Sequence, residues 1–231
     1  MNRTTDSDMK PAAFLFDLNG TMVDDMPYHV NAWFQALNNL GYGVTLERVK
    51  QESYGKNHEV LERLFPARLN DVQKEKVSQA KEELYRQQVV PSLKLIDGLA
   101  EWLEKWQKAG IKMAIASAAI LSNVDLVLDG LHIRHYFDAI VSADDVSLSK
   151  PDPETFLKAA VALRIPPSRC IVFEDSPKGV EAAKNAGMKA VVLTTQDAPA
   201  AFKDFDNILF CAADYRSNEF SRFWEEICQG Y

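Results

Sequence analysis

Short apolar runs of strand length recur along the chain, and helical patterns lie between several of them. The runs fall at residues 12–16, 111–116, 139–141, 170–173, 190–193 and 208–210. The clearest helical patterns fall at residues 99–109, 153–163 and 177–186, with a further helix at 220–227. Continuous apolar runs bounded by turn residues are typical of buried strands in parallel sheets. The alternation therefore predicts an α/β fold with a doubly wound, Rossmann-like parallel sheet.

One long segment, residues 28–90, interrupts this alternation because it shows no strand pattern. Helices are predicted there at residues 28–40, 46–52, 57–65 and 70–89. The last of them is rich in Lys, Glu and Gln, which is typical of a solvated helix. We therefore expect an α/β core of residues 1–22 and 96–231 and an inserted, all-helical cap domain of residues 23–95. A cap inserted there would cover the crevice where open α/β sheets bind ligands.

Composition limits the class of partner. The chain has 33 acidic and 26 basic residues, a net charge of −7, which argues against a nucleic-acid or anionic-membrane binder. The apolar runs are far shorter than the ~20 residues of a membrane helix, and residues 1–10 lack the apolar region of a signal peptide. The three cysteines show no CxxC spacing, which argues against a disulfide scaffold. We expect a cytoplasmic protein, either a monomer or a weak homodimer.

Polar residues follow the predicted strands at their carboxyl ends. Asp17 and Ser117 follow the first two runs, Lys150 comes after the third, and Glu174 and Asp175 follow the fourth. These side chains should converge at one edge of the sheet. Carboxylates placed together repel one another unless a cation is present, and oxygen ligands on loops suit Mg²⁺. A carboxylate beside a lysine can attack phosphorus, so the arrangement predicts phosphoryl transfer with Mg²⁺ as cofactor.

Four segments in this order resemble the four motifs of the haloacid dehalogenase (HAD) superfamily. They are FLFDLNGT at 14–21, Ser117 after a strand, KPDP at 150–153 and FEDS at 173–176. The helical insert resembles the C1 cap of the subfamily that contains β-phosphoglucomutase and many sugar-phosphate phosphatases. The resemblance covers nearly the whole chain, and it implies the HAD core fold and an aspartyl-phosphate intermediate.

The resemblance also implies a role for each matched residue. Asp17 would be the nucleophile, and Ser117 and Lys150 would bind the transferring phosphoryl group. Mg²⁺ would be held by the carboxylates of Asp17, Glu174 and Asp175 and by the backbone carbonyl of Asn19.

Asn19 departs from the family's pattern, because the phosphotransferases normally carry a second aspartate two residues after the nucleophile. That aspartate moves a proton to the leaving group and from the incoming water, which an amide cannot do. We therefore expect turnover to be lowered roughly 10²–10⁴-fold. Three explanations stay open. The chain has a substitute proton carrier (Asp25, His29 or His58), or an Asp→Asn change was introduced to trap complexes, or the protein binds phosphorylated ligands without turnover.

The cap carries the residues that the resemblance assigns to the substrate. PYHVNAW at 27–33 resembles the first cap helix of β-phosphoglucomutase, in which the histidine contacts the proton-carrying aspartate and the tryptophan lies near the sugar. The specificity loop aligns as YGKNHE at 54–59. The candidate substrate-binding residues are thus His29, Trp33, Tyr54, Gly55, Lys56, His58, Ser117 and Ala118.

The specificity loop departs from the mutase at two positions. Tyr54 stands where the mutase has a lysine, and His58 stands where it has a phosphate-gripping arginine, with Lys56 as a partial replacement. A mutase must hold a second phosphate, so the loss of a bidentate arginine counts against that activity. We predict a Mg²⁺-dependent phosphohydrolase of a small phosphorylated metabolite of the sugar-phosphate class. The alternatives are a phosphosugar mutase and a non-catalytic homologue that binds a phosphometabolite.

Overall fold

A computed structural model of the protein describes residues 11–229. Within these residues, six parallel strands form one sheet in the order β3-β2-β1-β4-β5-β6. The strands are β1 (Ala13–Phe16), β2 (Lys112–Ala116), β3 (Ala139–Val141), β4 (Cys170–Glu174), β5 (Lys189–Leu193) and β6 (Ile208–Ala212). The strand order reverses between β1 and β4, which is where open parallel sheets bind their ligands.

Helices cover both faces of the sheet. They are α5 (Leu99–Lys108), α6 (Leu121–Gly130), α7 (Glu154–Leu163), α8 (Pro177–Asn185) and α9 (Asn218–Gln229). Successive residues of β1 point to opposite faces, so Phe14 and Phe16 pack with α5, α6 and α9, while Leu15 packs with α7 and α8. Both faces of the strand are therefore buried, as the apolar run predicts.

The segment between β1 and α5 is helical. It contains α1 (Met26–Asn39), α2 (Leu46–Glu52), α3 (Asn57–Leu64) and α4 (Asp71–Val89). Trp33 and Leu37 of α1 pack against Leu61 and Leu64 of α3 in a hydrophobic cluster made only of residues from this segment. The four helices, called the cap below, thus have an apolar core of their own.

The predicted fold class is confirmed, with two differences in detail. Helix α6 is missing from the predicted set, although Val124, Val127 and Leu128 lie on its buried side at helical spacing. The prediction of a solvated α4 is wrong for one face, on which Lys81, Glu82 and Tyr85 are buried. The interpretation of residues 1–10 lies outside the described residues. Among residues 11–229, no helix has the length and apolar character needed to span a membrane.

Candidate active site

Four charged side chains meet at the carboxyl ends of β1 and β4. These strands are neighbours, with Phe16 opposite Phe173, so Asp17 lies beside Glu174 and Asp175. Oxygens of the three carboxylates lie within 4.8 Å of one another. The Lys150 Nζ atom lies 2.6 Å from Asp17 Oδ1 and 2.6 Å from Glu174 Oε1. Four of the five residues predicted from the strand ends, all except Ser117, therefore form one cluster.

Electrostatics in this cluster favours an added cation. Burial raises the pKa of Asp17 to about 7, although Lys150 lowers it. Burial, together with Glu174 and Asp17, raises the pKa of Asp175 well above its ordinary value. Burial lowers the pKa of Lys150, but Asp17 and Glu174 outweigh it and hold that pKa above its ordinary value. One ammonium for three buried carboxylates leaves excess negative charge, and hard oxygen donors of this kind suit Mg²⁺.

Backbone and side-chain donors fix Glu174. Its Oε2 atom accepts hydrogen bonds from the backbone N–H groups of Asp175 (2.9 Å) and Ser176 (3.0 Å) and from the Ser176 hydroxyl (3.0 Å). Ser176 also caps α8 by accepting from the Gly179 N–H. A Cβ atom at Gly179 would lie 1.8 Å from the Glu174 carboxyl carbon, so only glycine fits there.

Gly20 leaves room for the Asp175 carboxylate, as Gly179 does for Glu174. Replacing Gly20 therefore tests this geometry. Its φ is +79°, and a Cβ atom there would lie 2.0 Å from Asp175 Oδ2. We expect Gly20→Ala to lose at least about tenfold in turnover by displacing that carboxylate, in addition to a backbone penalty of about 1 kcal/mol. Gly110→Ala is the matched control, because Gly110 has φ +78° and no atom within 4 Å of the added carbon. Steady-state kinetics and thermal melting of both variants measure the difference, and equal activities would contradict the expectation.

The Asn19 side chain is hydrogen-bonded to Asp25, the residue that precedes cap helix α1. Its Nδ2 atom donates to Asp25 Oδ2 over 2.7 Å, and the Tyr85 hydroxyl donates to the same oxygen over 2.5 Å. Asp25 is 2% exposed, and burial raises its pKa to about 6. Asn19 is thus held by a buried carboxylate that the sequence suggests only as a possible proton carrier.

The two histidines considered as proton carriers have different surroundings. His29 is buried and stacked on Tyr85, with Nδ1 2.9 Å from Lys81 Nζ. Burial and the Lys81 ammonium hold the pKa of His29 well below its ordinary value, and its Nδ1 lone pair accepts from Lys81. His58 is exposed, 3.9 Å from Glu75 Oε2. The polar partners of both histidines thus lie on the cap or at its base, apart from the strand-end cluster.

A second polar cluster joins the cap to the core. Glu82 of α4 contacts Lys81 Nζ (2.8 Å), accepts from Asn57 Nδ2 (2.8 Å) and accepts from Asn123 Nδ2 (2.6 Å) of core helix α6. Arg86 in turn donates to Asn123 Oδ1 over 3.2 Å. Sequence reasoning missed these residues, because Lys and Glu in a polar helix are ordinarily exposed. Tyr85, an aromatic residue one turn from Lys81 in an otherwise polar helix, could have indicated that this face of α4 is buried.

The specificity loop also contacts the core. Lys56 Nζ donates to the Val146 carbonyl over 2.6 Å, and its backbone N–H donates to Ser149 Oγ over 3.1 Å. The Tyr54 ring lies between the Arg63 guanidinium (3.7 Å) and the Lys178 ammonium (3.4 Å). One donor of the Lys56 ammonium is therefore bound to a backbone carbonyl of the core.

A cavity of about 940 Å³ lies between the cap and the ends of the strands. Ser117 follows β2 at its wall and is fixed by a hydrogen bond from the Ala119 N–H over 3.1 Å. Asp25, a candidate proton carrier, does not line this cavity. The other predicted site residues do: Asp17, Asn19, His29, Trp33, Tyr54, Gly55, Lys56, His58, Ser117, Ala118, Lys150, Glu174 and Asp175. The structure thus brings the strand-end cluster and the predicted cap residues to a single space.

Comparison with known proteins places this arrangement among enzymes. A family model for haloacid dehalogenase-like hydrolases matches residues 11–187. A fructose-1-phosphate phosphatase of Escherichia coli K12 is 31% identical over 183 residues, 78% of this chain and 95% of that protein. A phosphorylated carbohydrates phosphatase of Thermotoga maritima is 31% identical over 183 residues, 78% of this chain and 83% of that protein. The crystal structure of a β-phosphoglucomutase from Clostridium difficile shares the fold, with a TM-score of 0.81 and 23% identity over 95% of this chain and 98% of that one.

Proposed function

Because the chain belongs to the haloacid dehalogenase-like hydrolase family, we propose that it hydrolyses a small phosphate monoester of the sugar-phosphate class through an aspartyl-phosphate on Asp17. The observation that carries the proposal is the cluster of Asp17, Lys150, Glu174 and Asp175 in the lining of the cavity between the cap and the ends of the strands. The named phosphatases among the relatives act on phosphorylated carbohydrates, which supports the substrate class.

The reaction has two steps on this chain. The Asp17 carboxylate forms a bond to phosphorus as the ester P–O bond breaks, and water then cleaves the acyl phosphate and releases inorganic phosphate. Lys150 and Ser117 stabilise the phosphoryl oxygens in both steps. Asn19 has no acidic proton to give, so the leaving oxygen takes its proton from water, which slows turnover.

The carboxylates of Asp17, Glu174 and Asp175 and the backbone carbonyl of Asn19 are the groups that would hold Mg²⁺. When bound, the ion would balance the charge of the carboxylates and the phosphate. The excess of buried negative charge in the cluster supports this assignment.

Mg²⁺ is expected to stabilise the protein more at pH 8 than at pH 5.5. The folded-state pKa of Asp17 is about 7 against an ordinary 3.8, so the metal-free protein loses stability as pH rises through this window. At pH 8 the Asp17 carboxylate is ionised and Mg²⁺ relieves its repulsion with the neighbouring carboxylates, whereas at pH 5.5 a proton on Asp17 already does so. At about 100 times its Kd the ion adds about 2.7 kcal/mol, a rise in Tm of roughly 5–10 °C. Thermal melting with Mg²⁺ or a chelator at both pH values measures this, and a larger shift at pH 5.5 would contradict it.

The specificity loop favours a monophosphate over a bisphosphate. His58, which stands where the mutase has its phosphate-gripping arginine, is exposed and 3.9 Å from Glu75 Oε2. Lys56 Nζ donates to the Val146 carbonyl. A second phosphate would find no bidentate guanidinium at position 58, which supports hydrolysis over the mutase reaction.

We further propose that residues 23–95 move as the cap over a core of residues 1–22 and 96–231. The two chain segments that join the cap to the core lie side by side, and the Ile96 N–H of one donates to the Met22 carbonyl of the other over 2.8 Å. Because the cap helices have their own apolar cluster, they can rotate about these connections without losing it.

A panel of phosphate esters tests the function. Fructose 1-phosphate, other hexose phosphates and hexitol phosphates are incubated with the protein and Mg²⁺, and free phosphate is measured. With β-glucose 1-phosphate, the products separate the alternatives: free phosphate indicates hydrolysis and glucose 6-phosphate indicates the mutase. Binding of these esters with no product would favour the non-catalytic homologue and overturn the proposal.

A further inference from the structure

The Asn19 amide has a single orientation in its surroundings. Carboxylate oxygens only accept hydrogen bonds, so the partner of Asp25 Oδ2, 2.7 Å away, is the amide nitrogen of Asn19. The amide oxygen therefore points away from Asp25. Asn19 lines the catalytic cavity, whereas Asp25 lies behind it and is 2% exposed.

Asp25 is itself held in place. The Tyr85 hydroxyl donates to the same Oδ2 atom over 2.5 Å, and the stacked His29 ring closes off the other side of Tyr85. Burying a carboxylate is costly unless it is hydrogen-bonded, and among the described residues Asp25 Oδ1 has no hydrogen-bond partner, so the side-chain hydrogen bonding of Asp25 rests on Oδ2. The two groups that it binds are the Asn19 amide and the Tyr85 hydroxyl, and Asn19 alone of these lies at the catalytic cavity.

We propose that Asp25 and Tyr85 are positioning residues that fix the Asn19 amide with its oxygen toward the cavity, where that oxygen accepts a hydrogen bond from the water or substrate hydroxyl at the phosphoryl group. The inference rests on the proposed function and adds a role for Asn19. An amide oxygen cannot remove a proton, but it orients the O–H group that meets phosphorus. Asn19 thereby keeps the alignment that the family's aspartate supplies, without its acid–base chemistry.

Kinetics of Asp25→Asn provide the first test, with Asp24→Asn as the matched control because Asp24 is exposed and adjacent. The amide introduced at position 25 can accept or donate, so Asn19 loses its fixed orientation. We expect kcat for phosphate release to fall about tenfold with little change in KM, while Asp24→Asn stays within twofold of the unchanged protein. Tyr85→Phe should show a smaller fall of the same kind. An unchanged kcat in Asp25→Asn would overturn the proposal.

A double-mutant cycle separates positioning from a general loss of structure. When position 19 carries an aspartate, the amide introduced by Asp25→Asn can donate to the new carboxylate. With p-nitrophenyl phosphate, whose leaving group needs no proton, Asp25→Asn should therefore lower kcat much less in the Asn19→Asp background than in the unchanged protein. Equal losses in both backgrounds would indicate a merely structural role and would overturn the proposal.

Nuclear magnetic resonance tests the orientation without catalysis. The Asn19 side-chain NH₂ signal, identified by its disappearance in Asn19→Asp, should shift in Asp25→Asn and stay in place in Asp24→Asn. An unshifted signal would overturn the proposal. If the unchanged protein hydrolyses no ester, the proposed function fails, while this measurement still decides whether Asp25 holds the amide.

Discussion

Replacing Asp17 with asparagine is expected to lower phosphate release by about 10⁴-fold or more. The amide is a poor nucleophile, and Asp17 is the carboxylate that contacts Lys150 at the end of β1 in the proposed mechanism. The substitution is nearly isosteric, Lys150 keeps its contact with Glu174, and the raised pKa of Asp17 means that the fold disfavours its charge, so we do not expect Tm to fall. The measurement is phosphate release at saturating substrate, together with a melting curve.

Asp204→Asn provides the control for Asp17→Asn, because it makes the same chemical change at an exposed position. Its activity should equal that of the unchanged protein. If Asp17→Asn kept more than a hundredth of the original rate while remaining folded, Asp17 would not be the nucleophile.

Replacing Asn19 with aspartate is expected to raise kcat roughly 10²–10⁴-fold. The new carboxylate would lie next to the buried Asp25 carboxylate, because the Asn19 side chain that it replaces is 2.7 Å from Asp25 Oδ2. Two carboxylates at that distance share a proton, because both cannot be ionised. The pair therefore supplies a proton to the leaving oxygen, and the gain should be largest for alkyl phosphates and small for p-nitrophenyl phosphate, whose leaving group needs no proton.

The comparison of the two leaving groups is the internal check on Asn19→Asp. Asn39→Asp, at an exposed position on α1, controls for the added charge. An equal gain with both substrates would argue against proton transfer, and no gain with either would show that the missing acid–base group is not what limits turnover.

The strand-end residues could be predicted because their position follows from topology alone. In a parallel sheet all carboxyl ends meet at one edge, so Asp17, Lys150 and Glu174 are brought together despite their separation in the chain. The apolar runs of the central strands are equally informative, since burial on both faces leaves an uninterrupted hydrophobic sequence.

The buried polar groups of the cap could not be predicted in this way. Lys81 and Glu82 are buried because each finds a partner, and those partners, His29 and Asn123, lie 52 and 41 residues away in the chain. The local composition of a helix gives only its average polarity and does not specify contacts between residues that are distant in the chain. Asn19 and Asp25 are only six residues apart, but their contact depends on the shape of the turn that follows β1, which the residue types alone do not specify.

The contacts of Glu82 with Asn123 and of Lys56 with Val146 link the cap to the core beside the cavity. When these contacts are formed, the space next to Asp17 is about 940 Å³ and remains partly open to solvent. A small phosphate monoester has room there, whereas a bulkier molecule has to extend through the opening or keep the cap contacts from forming. In the proposed reaction we therefore expect these contacts to favour small substrates, in addition to any recognition of hydroxyl groups.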